Sequence, residues 1–180
     1  MNSYSIDEIM SHHPCAAYPR ERVEALWGGR ERMTLAEILD LPIPAADRVW
    51  VIRLNPPDGW ADRVADRAVR THAMGCGIIE VEDWAARWLS GDDRSLRSVG
   101  EAIGEARRAE DARNANAAAA AWAVAAAAWA SGWGGEDDFL RAADHATNAA
   151  ARAAGMAADE YGQQVQDARD LLAQEAPCDC

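Results

Sequence analysis

The sequence predicts an all-α protein, a single-domain multi-helix bundle built on a long C-terminal antiparallel helical hairpin rich in alanine. Three observations predict it. Apolar residues recur at spacings of three and four along most of the chain, the mark of helices with one buried face. Prolines and glycines cut that pattern into short pieces before about residue 91 and then leave it uninterrupted for long stretches. Between Asn114 and Gly135 no side chain is charged, and Trp122, Trp129 and Trp133 stand in a field of alanine. At 180 residues the chain is long enough to bury roughly 70% of the surface an unfolded chain exposes. The expected organisation is one helical domain over residues 1–176, with short helices from 5–90 packed on a hairpin of 94–174, and 177–180 as a tail.

Ser5 opens a short helical pattern with Ile6, Ile9 and Met10 on one face, ended by Pro14. In PRERVEALWGG, Pro19 suits a first helical position, Val23, Leu26 and Trp27 form the apolar side, and Gly28 closes the helix. Thr34 and Glu37 fit a capping box, followed by Leu35, Ile38, Leu39 and Leu41 and stopped by Pro42. The run Val49 to Ile52 fits either a strand or a buried helical turn. Helix is the reading adopted, because a lone strand without a pairing candidate leaves its backbone groups unsatisfied. NPPDG makes a turn with Asp58 as the expected N-cap.

The next helix places Trp60, Val64, Ala68 and His72 on one side, and its pattern fades around Cys76. From Ile79 to Leu89, Trp84, Trp88 and Leu89 repeat at helical spacing beside Glu80, Glu82 and Asp83, until Gly91 breaks the element. Asp92 and Asp93 then stand where carboxylates cap a helix start. The first hairpin arm runs from about Arg94 to Ser131, with Leu96, Val99 and Ile103 on its first buried face. SGWGGEDD supplies the turn, and Glu136, Asp137 and Asp138 favour the start of the second arm, about Asp138 to Gln174. That arm lines up Phe139, Ala143, Ala146, Ala150, Ala154, Ala157, Tyr161, Ala168 and Leu172 on one side. Arg141, His145, Asn148, Arg152, Asp159, Gln163 and Asp170 fall on the other. A short connection favours antiparallel neighbours. The alanine seam closes within one chain or, by exchange of the final helix, between two, so a homodimer is the alternative assembly.

A net charge of -12 argues against non-specific nucleic-acid binding and against attraction to anionic membranes, because both need a basic face. It suits a basic partner or simple solubility. All 18 basic residues are arginine, which reads as coding bias before it reads as a choice of bidentate geometry. The uncharged stretch is long enough, at about 1.5 Å per residue, to cross an apolar core. Alanine inserts weakly, however, and Asn114, Asn116, Ser131 and the glycines dilute the run without a flanking arginine cluster, so no membrane span is expected. MNSYSIDEIMSHH lacks a basic region followed by an apolar run, so no secretory signal is expected and the expected location is cytoplasmic, with reduced thiols.

Catalytic and metal-binding readings are weak. Cys15, Cys76, Cys178 and Cys180 contain no CxxC pair, and a zinc site joining His12, His13 and Cys15 to the last two cysteines is disfavoured by the terminal position of the latter. His72 and Cys76, four residues apart, invite a nucleophile reading, against the commoner one of a buried thiol near a surface imidazole. Trp122, Trp129 and Trp133 read as core filler rather than a stacking platform, since no basic residue stands near them to track a phosphate backbone. GWGG lacks the lysine and the strand of a phosphate loop. No catalytic residue, cofactor or metal is therefore expected. The candidate partner-binding residues are the acidic ones at helix starts: Glu80, Glu82, Asp83, Asp92, Asp93, Glu136, Asp137 and Asp138. A surface imitating nucleic-acid phosphates, inhibiting a nucleic-acid-binding protein, is the alternative function, and an enzyme of unknown chemistry is the third class.

Two stretches carry a family resemblance. Pro14 to Leu54, with its proline-framed LDLPIPAADRVW, resembles the N-terminal half of alanine-rich proteins of actinobacteria and their phages. The stretch from Trp84 to Trp129, starting at Asp83 with DWAARWLSGDD and continuing into the alanine helix, is similar to helical immunity proteins of the immunity-five-like group. Where that family often carries a phenylalanine- and cysteine-containing helix, Ala65 to Gly77 here reads ADRAVRTHAMGCG. The resemblance implies no catalytic residues. It implies neutralisation of a toxin by binding or, in a phage, the binding of a host protein.

Overall fold

The computed structural model describes residues 3–111 and 157–175. Among them the chain is mostly helical, as the sequence predicts, with one two-stranded ladder. The turn of the expected hairpin and most of both arms, with Trp122, Trp129 and Trp133, lie outside the described residues. The chain divides into two compact units, Met1–Pro57 with Tyr161–Cys180, and Asp58–Glu160.

The first unit is built on two matching helix starts. Ser5 and Thr34 both have extended backbones, and each accepts from the N–H of the residue three on, Glu8 or Glu37, whose carboxylate reaches back to the cap N–H at 2.6 and 2.7 Å. These capping boxes open α1 (Ile6–Ser11) and α3 (Leu35–Leu39). The extended residues leading into them pair as β1 (Ser3–Tyr4) and β2 (Met33–Thr34), antiparallel, Ser3 opposite Thr34 and Tyr4 opposite Met33. This short ladder is not anticipated by the sequence reading, which finds no clear strand, and it leaves the mostly helical character of the chain unchanged. Two-residue strands have no periodicity to detect, and their pairing partner is supplied by the second cap. Arg32 fastens the ladder by donating from Nε to Ser3 Oγ at 2.9 Å while its guanidinium pairs with Glu8 at 2.9 Å.

Between the caps, α2 (Arg20–Trp27) buries Val23 and Trp27, and Trp27 Nε1 donates to the Tyr4 carbonyl at 3.4 Å. Pro19 is the N-cap of α2 rather than its first helical residue. Gly28 ends the helix at φ 58°, the left-handed conformation that a Cβ penalises. The ambiguous run is helical: α4 (Ala45–Leu54) buries Val49, Val51 and Ile52. The C-terminal helix α8 (Ala157–Glu175) contributes to the same unit from Tyr161 onward, burying Gln164, Val165, Asp167 and Ala168. Arg169 donates from Nη2 to the Leu39 carbonyl at 2.8 Å and to Asp40 Oδ1 at 2.7 Å, so it caps the C-terminal end of α3 from far along the chain. The apolar side assigned to this helix is right at Ala168, while Gln164 and Asp167 are buried polar residues that an apolar pattern does not reveal.

In the second unit α5 (Trp60–Ala68) starts at Gly59, φ 74°, without a side-chain cap, so Asp58 does not take the expected role. The helix continues as a π-turn, Val69–Ala73, which carries His72. Helix α6 (Ile79–Ser90) packs on that turn and on α7 (Leu96–Asp111). Ala65, Val69, Val81, Trp84, Ala85, Trp88, Val99 and Ala106 form the centre of its core. Trp84 and Trp88 lie one turn apart with ring centroids at 5.7 Å, and each is almost wholly buried. Aromatic side chains of this size bury about 150–250 Å² each, which offsets the small area that the neighbouring alanines contribute. No helix among the described residues is long and apolar enough to cross a membrane.

Candidate protein-binding surface

Helix α6 carries or adjoins every described candidate. Glu80, Glu82 and Asp83 lie in its first turns, whereas Asp92 and Asp93 follow its C-terminal cap, Gly91. At about 1.5 Å per residue, the part of α6 beyond Asp83 separates the two groups. They are two features, not one acidic patch. Glu136, Asp137 and Asp138 lie outside the described residues.

The C-terminal group is occupied within the fold. Asp92 accepts from Ser90 Oγ at 2.7 Å, and its N–H joins that of Asp93 on the Arg87 carbonyl. Asp93 accepts from the Ser95 N–H at 3.0 Å. The Ser95 hydroxyl, then that N–H, hold the Asp93 carboxyl below the usual carboxylate range. The helix cap itself is Ser95, whose Oγ accepts from the Ser98 N–H at 3.3 Å, so the expectation that Asp92 and Asp93 cap α7 directly is corrected. The carboxylates instead orient the loop that carries the cap.

The N-terminal group divides. Glu82 is half-buried and accepts from the Gly77 N–H at 2.7 Å, which ties α6 to the loop before it. The Glu80 and Asp83 side chains are exposed and make no hydrogen bond to another described residue, although Glu80 acts electrostatically on Arg108 of α7. Beside them Ile79 is 71% exposed. Helical geometry gives the reason, since Ile78, Val81, Trp84, Ala85 and Trp88 step inward at spacings of three and four, and Ile79 falls on the opposite side with Asp83 one turn on. That position was readable in the sequence once the inward stripe is drawn, but an isoleucine next to another isoleucine reads as core.

A second feature without a sequence signal is the cluster of Asp66, Trp88 and Arg94. Trp88 Nε1 donates to Asp66 Oδ1 at 2.9 Å, and Arg94 Nη2 donates to both Asp66 oxygens at 3.0 and 3.2 Å. The Arg94 guanidinium also lies 4.9 Å from the Trp88 ring centroid. This cluster joins α5, α6 and the α6–α7 loop and has a structural role. With both charged partners over a third exposed, its ion pair has the strength of a surface pair, about 0.2–1 kcal/mol.

The catalytic alternative loses ground on the thiol. Cys76 is buried, its Sγ lies 3.9 Å from the Ile78 carbonyl, and burial pushes the thiol above its ordinary pKa. An activated cysteine requires the opposite shift. His12, His13 and Cys15 are exposed, and no group of three or more histidine, cysteine or acidic residues among the described residues is arranged to hold a metal. Cys178 and Cys180 lie outside the described residues. No family model, curated protein or solved structure matches the chain.

Proposed function

We propose that this chain is a non-enzymatic protein-binding factor that acts, as an immunity protein or a phage accessory factor does, by occupying a partner protein. The observation that carries the reading is the N-terminal edge of α6, where the exposed Ile79 adjoins two exposed carboxylates, Glu80 and Asp83, whose side chains are hydrogen-bonded to no other described residue. Burying such a side chain in a partner contributes about 1.5–3 kcal/mol, a sizeable share of a specific interface. The carboxylates select a basic partner, in keeping with a net charge of -12. The resemblance of Pro14 to Leu54 to alanine-rich proteins of actinobacteria and their phages, and of the stretch from Asp83 onward to immunity proteins, supports the same class.

The test is a pull-down from an actinobacterial lysate with the full chain as bait at micromolar concentration. Recovery of a specific partner by the wild type, weakened in a Glu80→Arg/Asp83→Arg variant, is the expected result. If no partner is retained, protein binding is not its function. Phosphate mimicry predicts that the complex weakens steeply with salt and is displaced by DNA. The arrangement of the acids favours the protein-binding reading over it, because Glu82, Asp92 and Asp93 are engaged within the fold.

A further inference from the structure

Met74 and Ile79 are the two large hydrophobic side chains exposed among the described residues, 44% and 71% respectively. Met74 opens the short loop between the π-turn and α6, and Ile79 is the first residue of α6 at the loop's end, a concentration that scattered surface exposure does not produce. The loop is held in shape rather than loose. Gly75 and Gly77 adopt φ of 76° and 80°, a conformation that side chains with a Cβ rarely take. The Met74 N–H bonds to the Val69 carbonyl at 3.1 Å, the Gly77 N–H to Glu82 at 2.7 Å, and Cys76 and Ile78 are buried beneath it. Two inward residues thus anchor the loop and two outward ones are presented. From Thr71 to Asp83 the chain carries Glu80, Glu82 and Asp83 and no arginine, with Arg70 before this span and Arg87 one turn after it.

We propose that the loop from Met74 to Ile78, with Ile79, Glu80 and Asp83 of α6, is a preformed docking surface for a basic, apolar-centred segment of a partner protein. The proposal rests on the protein-binding reading and extends its α6 edge to the ordered loop that presents Met74, with an amphipathic basic segment as the occupant. Met74 and Ile79 supply the apolar contact, with the flexible thioether adapting to the partner's shape. Glu80 and Asp83 supply the charge complement at its rim. A second copy of this chain is the poorer occupant, because it brings the same carboxylates against themselves.

The experiment is NMR titration of the full isotope-labelled chain with a synthetic amphipathic peptide bearing a leucine stripe flanked by arginines. A control peptide replaces the arginines with glutamates. The expected result is a set of shifts confined to about Met74 through Asp83 for the basic peptide and none for the acidic one. A Met74→Asp/Ile79→Asp variant, shown by circular dichroism to melt like the wild type, is expected to raise Kd about tenfold or more. If that variant melts early, Ile79→Ser alone takes its place. Shifts elsewhere, or unchanged affinity in the variant, overturn the docking surface. A chain that recovers a partner by pull-down yet shows no response here overturns the location while leaving protein binding intact; failure in both removes both. A concentration-dependent dimer abolished by Ile79→Asp assigns the loop to a second copy and overturns the basic partner.

Discussion

Single side chains divide into those that hold the fold and those it leaves outside. Trp84 and Ile79 lie on the same helix, the first almost wholly buried and the second 71% exposed. Trp84→Ala is therefore expected to cost about 3–5 kcal/mol, and Ile79→Asp to stay within about 0.5 kcal/mol of wild type, measured by denaturant unfolding. Equal losses at the two positions would mean that Ile79 is core. Glu8 gives a prediction in pH. The Ser5 N–H, the Arg32 guanidinium and the Ser5 hydroxyl, in that order of strength, bring its carboxyl down to about 2 from an ordinary 4.5. Between those values the unfolded chain binds more protons than the folded one, so stability rises with pH across the window and the contribution disappears as pH falls through about 2. Side-chain carbon NMR is expected to show Glu8 titrating below the other glutamates, and closer to them in Arg32→Met. A Glu8 midpoint in the ordinary range would show that the cap and the ion pair do not form in solution.

At the level of elements, the helices announced by their own chemistry are the ones legible in the sequence. Thr34 with Glu37 names its helix start, and Gly28 and Gly91 name two helix ends. The run from Val49 to Ile52 resolves to helix for a reason equally open in the sequence, the lack of a strand partner. Features that depend on distant or non-apolar residues were not legible. The β1–β2 ladder needs two caps that lie far apart in the chain, and the π-turn at Val69–Ala73 leaves no mark in composition. The half of the candidate site that was legible is its acidic chemistry; its geometry was not, because nothing in Asp92 or Asp93 reveals that Ser90 and Ser95 already engage them. Thr34→Ala removes the hydroxyl that accepts the Glu37 N–H and is expected to cost about 1 kcal/mol, with Thr34→Ser close to neutral. A silent Thr34→Ala in thermal unfolding would contradict the role assigned to the box.

For the whole molecule, the first unit takes its last helix from the C-terminal end of the chain, with Asp58–Glu160 forming the second unit between. Arg169 is the link that the hydrogen bonds identify, since it holds the Leu39 carbonyl and Asp40 from α8. In hydrogen exchange, Arg169→Met is expected to reduce amide protection in α3 and α4 while leaving α5 and α6 unchanged; uniform loss in both units would show that they open together. The acidic loop and α6 edge belong to the second unit, so binding there is expected to survive that variant. The most direct test of the claim that this edge meets a partner protein is site-specific photo-crosslinking in a lysate of the source organism. Ile79 is replaced by benzoylphenylalanine in one full-length chain and the exposed Glu21 of α2 in another. The account predicts a discrete protein adduct from position 79 and none from position 21. No adduct at 79, or the same adduct from both positions, would contradict it.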